Sequence, residues 1–284
     1  MTALTSRPLA SRRFGKRIGS ASLGIIAWIV ALLVFLPVGW MFMTGFKQER
    51  DAYVTPPTIF FQPTLDQYVN LFEGNIGRSL MNSVVASGVS LLIVLVLALA
   101  AAYALAINPI PKWRDGMFFF LSTRFLPPVA AVVPLYLIAR DLSLLDNILI
   151  LIIMYTAMNL PLAIWMLQSF LSEIPKEIFE AASMDGAGFF TTMRRIVLPL
   201  ATPGIAATSL ICIIFSWNEF FFAVNFTSVK ATTMPVFLLS FAANEGLFWA
   251  QLSAAATIAT LPIILLGWIA QDKLVQGLTM GAVK

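Results

Sequence analysis

Histidine is absent from this chain of 284 residues, and cysteine occurs once, at Cys212 inside an apolar run. These absences exclude a disulfide framework, a Cys/His zinc site and any histidine-based catalytic triad. The GxxxxGK[ST] spacing that cradles nucleotide phosphates is missing too, so any energy from ATP has to come from a partner. Charge is scarce: 11% of residues are Asp, Glu, Lys or Arg, against about 25% in an average soluble domain, and 59% are hydrophobic. A chain so poor in charge cannot clothe a soluble core. The composition reads as an all-α, polytopic membrane protein.

What is present falls into long apolar runs. A helix that crosses a bilayer needs about 20 mostly apolar residues, each adding about 1.5 Å along the axis. Six segments qualify: 18–46, 79–111, 116–139, 147–172, 196–229 and 246–271, with Arg124 and Glu219 their only charged residues. Orientation follows from the flanking Lys and Arg. The first twenty residues hold Arg7, Arg12, Arg13, Lys16 and Arg17 and no acid. The apolar run behind them is too long for a cleaved signal peptide and reads as a first span. Six spans put both termini on one side. With that side inside, the inner segments carry twelve Lys and Arg and the outer loops five. Both termini are therefore expected in the cytoplasm.

This gives a cytoplasmic basic tail (1–20), a first transmembrane helix (21–46) and a periplasmic loop (47–78). A five-helix core (79–271) and a cytoplasmic tail (272–284) follow. The net charge of +4 derives from the N-terminal tail, where anionic membrane lipid accounts for it and nucleic acid does not.

One charged stretch interrupts this pattern inside the expected fourth loop: SEIPKEIFEAASMDGAGFFTTMRRIVLPL, 172–200. Pro175 suits a first helical turn, Glu177 suits the positive end, and Gly186 is placed to end the helix. Ile174, Ile178, Phe179, Ala181 and Ala182 fall on one broad face; Lys176, Glu177, Glu180 and Ser183 fall on the other. A second helical stretch, GFFTTMRRIVL, leads to Pro199. Two readings stand side by side. The segment can lie along the membrane interface with Arg194 and Arg195 near lipid phosphates. Alternatively it can dock a partner, since Ala181, Ala182 and Gly186 let another backbone come close.

Glu180-Ala181-Ala182, then Gly186, then Ile196-Val197-Leu198-Pro199 resembles the EAA signature (EAA-x3-G-x9-I-x-LP) of ABC-importer permeases. QYVNLF at 67–72 followed by Asn82-Ser83 is similar to the entry of the permease core. RFLPPVAAVVPLYL, SWNEFFFA and LVQGLTMGAVK resemble the carbohydrate branch, in particular the second permease subunit of maltose-type systems. EGLFWAQLSAAAT, with the tail, looks most like the sorbitol and mannitol subgroup.

The resemblance implies that the loop at about 173–199 is a cytoplasmic coupling-helix hairpin docking on an ATP-hydrolysing subunit. Glu180 would pair with a basic residue of that subunit, Gly186 would permit the turn, and Ala181, Ala182, Asp185 and Ala187 would complete the surface. The tail, with Gly277, Leu278, Thr279 and Gly281, would reach toward the ATPase. The implied partners are a second, unlike permease subunit, an ABC ATPase homodimer and an extracytoplasmic solute-binding protein. No cofactor is expected on this chain; ATP and Mg would sit on the partner ATPase.

Ionisable residues within spans are candidates for function. Arg124 lies about 12 Å in from the cytoplasmic end of its span and Glu219 about 24 Å in, depths that argue against a direct ion pair. A sugar or sugar alcohol is held by hydrogen bonds to its hydroxyls and by stacking of its C–H faces. Candidate pathway residues are Tyr155, Thr156, Asn159, Asn218, Glu219 and Arg124, with Trp217 as a stacking face. The competing reading is structural, because Asn and Thr join helices in membranes and Trp favours the interfaces. An intramembrane enzyme lacks the residues it would need. An ion-coupled secondary transporter of a small polar solute remains the alternative, with inverted repeats and midplane carboxylates as its expected marks.

Overall fold

The computed structural model describes residues 10–107, 110–125, 127–243 and 248–280; side chains are described except for 10–22, 243 and 272–280. Every regular element among the described residues is helical. In chain order these are α1 (Ala10–Thr44), α2 (Glu49–Ala52), α3 (Asp66–Glu73), α4 (Ile76–Ile107), α5 (Trp113–Ser122), α6 (Pro128–Asp141) and α7 (Ile148–Ser172). Then come α8 (Lys176–Met184), α9 (Phe189–Thr192), α10 (Leu198–Leu200), α11 (Thr202–Trp217), α12 (Phe221–Phe226), α13 (Met234–Ala243) and α14 (Trp249–Met280). A 3₁₀ turn, Thr123–Phe125, follows α5, and a π-helical turn, Met193–Val197, joins α9 to α10.

Among the described residues, four helices are long and apolar enough to cross a membrane unbroken: α1 (over Leu23–Thr44), α4, α7 and α14 (over Trp249–Gln271). The number rises to six, as the sequence led us to expect, if each of two bent pairs forms one span. The expected single helix over 116–139 is one of those pairs, bent by 86° between α5 and α6. Its cause is Pro127-Pro128. Proline lacks an N–H and drives the preceding residue out of the α region, so Pro127 is extended (ψ 122) and the helix restarts with Pro128. The other pair bends by 78° between the segment Phe189–Leu200 and α11, where Pro203 opens the new helix. The expected run 196–229 is also cut at its far end. α11 stops at Trp217, and the following apolar residues form the separate α12.

The chain divides into two compact units, one holding 1–68 with 249–257 and the other 69–248 with 258–284. Within the first, the apolar window of α1 buries none of its residues in this chain and offers its side chains to lipid or to another subunit. Lys47, past the end of α1, is 1% exposed and donates to the Thr58 carbonyl at 2.7 Å, with its ammonium 4.4 Å from the Trp40 ring. Burial lowers the Lys47 pKa, and Asp51 acts against that shift. Glu49 caps α14, accepting from the N–H groups of Ala250 and Gln251.

Within the second unit, α7 buries Tyr155, Asn159, Ala163, Leu167 and Leu171, a stripe repeating every four residues along one helix face. It meets α4, whose buried Ser83, Ser87, Ser90, Ala98 and Ala102 are small enough for the backbones to approach closely. α11 joins both. A Cβ on Gly204 would stand 2.5 Å from the Phe170 ring, so only glycine admits this contact with α7.

Beyond α6, the Asp146 carboxylate gathers the backbone N–H groups of Ser228, Val229, Lys230 and Ala231 at 3.0–3.1 Å. Burial raises its pKa, but those donors prevail and hold it at about 2. Asn82 donates to the carbonyls of Lys230 and Thr232 at 2.9 Å, and the Ser83 hydroxyl accepts from the Met234 N–H at 2.8 Å. These contacts tie the 228–234 connection to α4 and fix the start of α13.

Candidate coupling site

Pro175 stands outside α8 as its N-cap, with extended ψ of 133, one position earlier than the sequence led us to expect. α8 ends in a Schellman arrangement: the Gly186 N–H donates to the Ser183 carbonyl at 3.1 Å and the Ala187 N–H to the Ala182 carbonyl at 3.0 Å. Gly186 has φ of +74, in the left-handed region where a Cβ is penalised. Open space surrounds its Cβ position, so the requirement is conformational rather than steric.

One face of α8 is held by the chain itself. Phe179 and Ala182, one turn apart, are 6% and 7% exposed. The Phe179 ring meets Tyr103 of α4 edge-on at 5.9 Å, and Tyr103 meets Phe189 of α9 at 5.7 Å. Tyr103 therefore sits as a wedge between the two arms of the loop, a geometry aromatic rings favour. The sequence reading missed Tyr103, because nothing local marks it among the apolar residues of α4.

The other face is bare. Glu180, Ala181, Ser183, Asp185 and Gly186 are exposed, and Met184 is 88% exposed. Glu180 forms no ion pair among the described residues. Two assignments change. Ile178 and Ala181, which share the broad apolar face with Phe179, are exposed, and for Ala181 this fits the expected docking surface. Ala182, expected on the docking surface, is buried within this chain, and Ala187 is half-buried. Only one narrow strip of a nine-residue helix can meet α4, and Phe179 fills it.

The candidate pathway residues are brought together only in part: Tyr155, Asn159 and Glu219 lie near one another, and Arg124 lies apart in a turn. Asn159 is 1% exposed and donates to Ser216 Oγ at 2.8 Å and to the Tyr155 carbonyl at 3.0 Å, which joins α7 to α11. Trp217 is buried, and its indole N–H donates to the Ala259 carbonyl of α14 at 3.1 Å, so it offers no free stacking face. Within this chain both fasten helices to one another. Asn218 is exposed at the end of α11 and donates to the Ile214 carbonyl of its own helix. Glu219 lies outside the helix it was assigned to. Its carboxylate accepts the N–H groups of Phe222 and Ala223 at 2.8 and 3.2 Å, capping α12. Tyr155 and Thr156 lie on α7 with both hydroxyls buried, and the Tyr155 hydroxyl faces the Glu219 carboxylate and Thr233.

Arg124 occupies the turn between α5 and α6, half-buried, with its guanidinium 4.7 Å from the Phe215 ring centre. It forms no ion pair with Glu219. In the tail, α14 continues as helix through Gly277, Leu278 and Thr279 to Met280, with side chains undescribed, and Gly281 lies outside the described residues.

Comparison with known proteins agrees with this architecture. The family described as binding-protein-dependent transport system inner membrane component matches residues 95–280. A probable ABC transporter permease protein of Sinorhizobium fredii is 38% identical over 90% of this chain and 93% of its own length. A trehalose transport system permease protein of Mycobacterium tuberculosis is 34% identical over 92% of this chain and 96% of its own length. A crystal structure of a bacterial ABC transporter involved in the import of the acidic polysaccharide alginate shares the fold. Its TM-score is 0.71 at 23% identity, covering 96% of this chain and all of that one. With more than half of the chain inside the family match and relatives above 30% identity along nearly all of it, this chain belongs to the inner-membrane components of binding-protein-dependent transport systems, the multi-pass permease subunits of ABC importers.

Proposed function

We propose that this chain is one of two unlike permease subunits of a sugar importer, and that α8 is the helix through which a partner ATPase drives it. One observation carries the reading: α8 is anchored on one face by Phe179, Ala182 and Tyr103, while Glu180, Ala181 and Met184 stand bare on the other. An anchored helix transmits a push; a loose one would absorb it. The mix of the Glu180 and Asp185 carboxylates with exposed apolar side chains suits a protein cleft better than water. ATP and Mg bound between two copies of the partner ATPase would close that dimer and draw the coupling helices together. The membrane helices would then turn outward to receive substrate from the solute-binding protein, and hydrolysis would reset them.

Both termini and α8 lie in the cytoplasm on this reading, consistent with the bias of Lys and Arg. A carbohydrate cargo is supported by relatives named for trehalose and diacetylchitobiose transport. Within that class, a sorbitol- or mannitol-type polyol is the narrower proposal, resting on EGLFWAQLSAAAT and the tail.

The test is ATP-driven uptake of radiolabelled trehalose, maltose, sorbitol and mannitol into vesicles holding the full complex, wild type against Glu180→Ala and Gly186→Asp. Both variants should assemble yet lose uptake and binding-protein-stimulated hydrolysis, and the compound that accumulates names the cargo. Normal transport by assembled variants would refute α8 as the coupling element.

A further inference from the structure

Behind α8 lies a second feature that coupling does not use. A cavity of about 210 Å³ opens where α4 ends at Ile107 and α7 ends at Ser172. Arg114 of α5, Lys176 of α8, and Gln168 and Ser172 of α7 line it, and the rest of its wall is apolar, including Trp113 and Phe179. No acidic residue is among the lining residues. Neither Arg114 nor Lys176 forms an ion pair among the described residues. Gln168 is 8% exposed and is oriented by its hydrogen bond to the Ser172 hydroxyl at 2.9 Å. Arg114 and Lys176 each lie in the first turn of their helices, so the positive ends of α5 and α8 add to the two side-chain charges.

We propose that this cavity binds the phosphate group of an anionic phospholipid from the cytoplasmic leaflet and thereby steadies the coupling helix. Arg114 offers a forked donor and Lys176 a point charge, the two usual modes of phosphate recognition. The apolar wall favours a phosphate that carries a hydrocarbon portion over free inorganic phosphate. The position points the same way, because the membrane helices α4 and α7 end there, at the depth of lipid headgroups. Lys176 and Phe179 belong to α8, so an occupant touches the coupling helix on its anchored side and leaves Glu180 free for a partner. The leaflet assignment rests on the orientation argued under Proposed function; the chemistry of the site does not.

The experiment uses the purified full complex, stripped of lipid in detergent and titrated with phosphatidylglycerol, phosphatidylcholine or inorganic phosphate. Bound lipid is counted by native mass spectrometry, and exchange of the α8 amides is followed by deuterium labelling. Phosphatidylglycerol should bind the wild type and slow α8 exchange, while phosphatidylcholine does neither. Arg114→Gln/Lys176→Gln should weaken binding roughly thirtyfold, at about fivefold for each cation near a membrane surface. Arg50→Gln/Arg140→Gln, which removes two exposed charges outside the cavity, should bind as the wild type does. Lys176→Gln alone, about fivefold weaker, serves if the double variant fails to assemble.

Equal binding of phosphatidylcholine, or undiminished binding by either cavity variant, overturns the site. Displacement of the lipid by inorganic phosphate at equal concentration overturns the lipid as its source. Uptake by the wild-type complex is recorded in parallel, so a failed lipid site and a failed importer reading remain distinct.

Discussion

Replacement of Gly186 by alanine isolates the backbone term at the end of the coupling helix. The added Cβ meets nothing within 4 Å, so packing does not change. What changes is the cost of φ at +74, which for an L-residue with a Cβ is about 1–2 kcal/mol. That energy is local. It weakens the hydrogen bonds from Gly186 to Ser183 and from Ala187 to Ala182, while the packing of α4, α7 and α11 is untouched. Amides at positions 186 and 187 should therefore exchange about 5- to 30-fold faster in Gly186→Ala, since 1.4 kcal/mol is a factor of ten. The melting temperature of the complex should stay where it was. Gly186→Asn provides the internal check, because asparagine visits the left-handed region far more readily than alanine. Its exchange should fall between wild type and Gly186→Ala. The assay is hydrogen exchange read by mass spectrometry on peptides spanning 176–190. Wild-type exchange in Gly186→Ala, or equal acceleration in the two variants, would refute the claim that the left-handed conformation ends this helix.

Two further outcomes follow from the same geometry. Asn159→Ala removes the Asn159–Ser216 hydrogen bond between α7 and α11, and such bonds in membranes are worth about 0.6 kcal/mol on average. The variant should melt slightly earlier in detergent with an unchanged uptake KM, whereas a shifted KM would return Asn159 to the pathway. Asp146 is held at about 2, below its ordinary 3.8, so its contribution is present above about pH 4 and is lost as pH falls toward 2. Protease accessibility of the 228–231 connection should rise through that window in the wild type and stay flat, at the higher level, in Asp146→Asn.

Much was legible before any fold was known, wherever the deciding physics is local. The scarcity of charge and the length of the apolar runs set the membrane class, and the crossing count of up to six agrees with the structure. Gly186 could be read as a terminator because left-handed backbone is a property of single residues, and Glu180 fell on the open face of α8 by helical periodicity alone. The break at Pro127-Pro128 carried a local signal too, because a proline at position 128 can kink its helix.

Other features depended on residues far apart in the chain. The same hydropathy that marked 196–229 as one span is distributed between α11 and α12, because Glu219 caps a new helix after Trp217. Asn159 and Trp217 looked like free polar and aromatic groups, and only their partners Ser216 and Ala259, 57 and 42 residues away, turned them into fasteners. Ala182 and Ala181 are neighbours of identical chemistry, yet one is buried and one is bare. A multi-pass membrane chain, with a helix ended by Gly186 in a charged loop, was therefore legible from local chemistry. Which of that helix's two neighbouring alanines stays bare was left to tertiary packing, because Tyr103, more than seventy residues earlier in the chain, wedges between Phe179 and Phe189 and sets the side on which the helix is held.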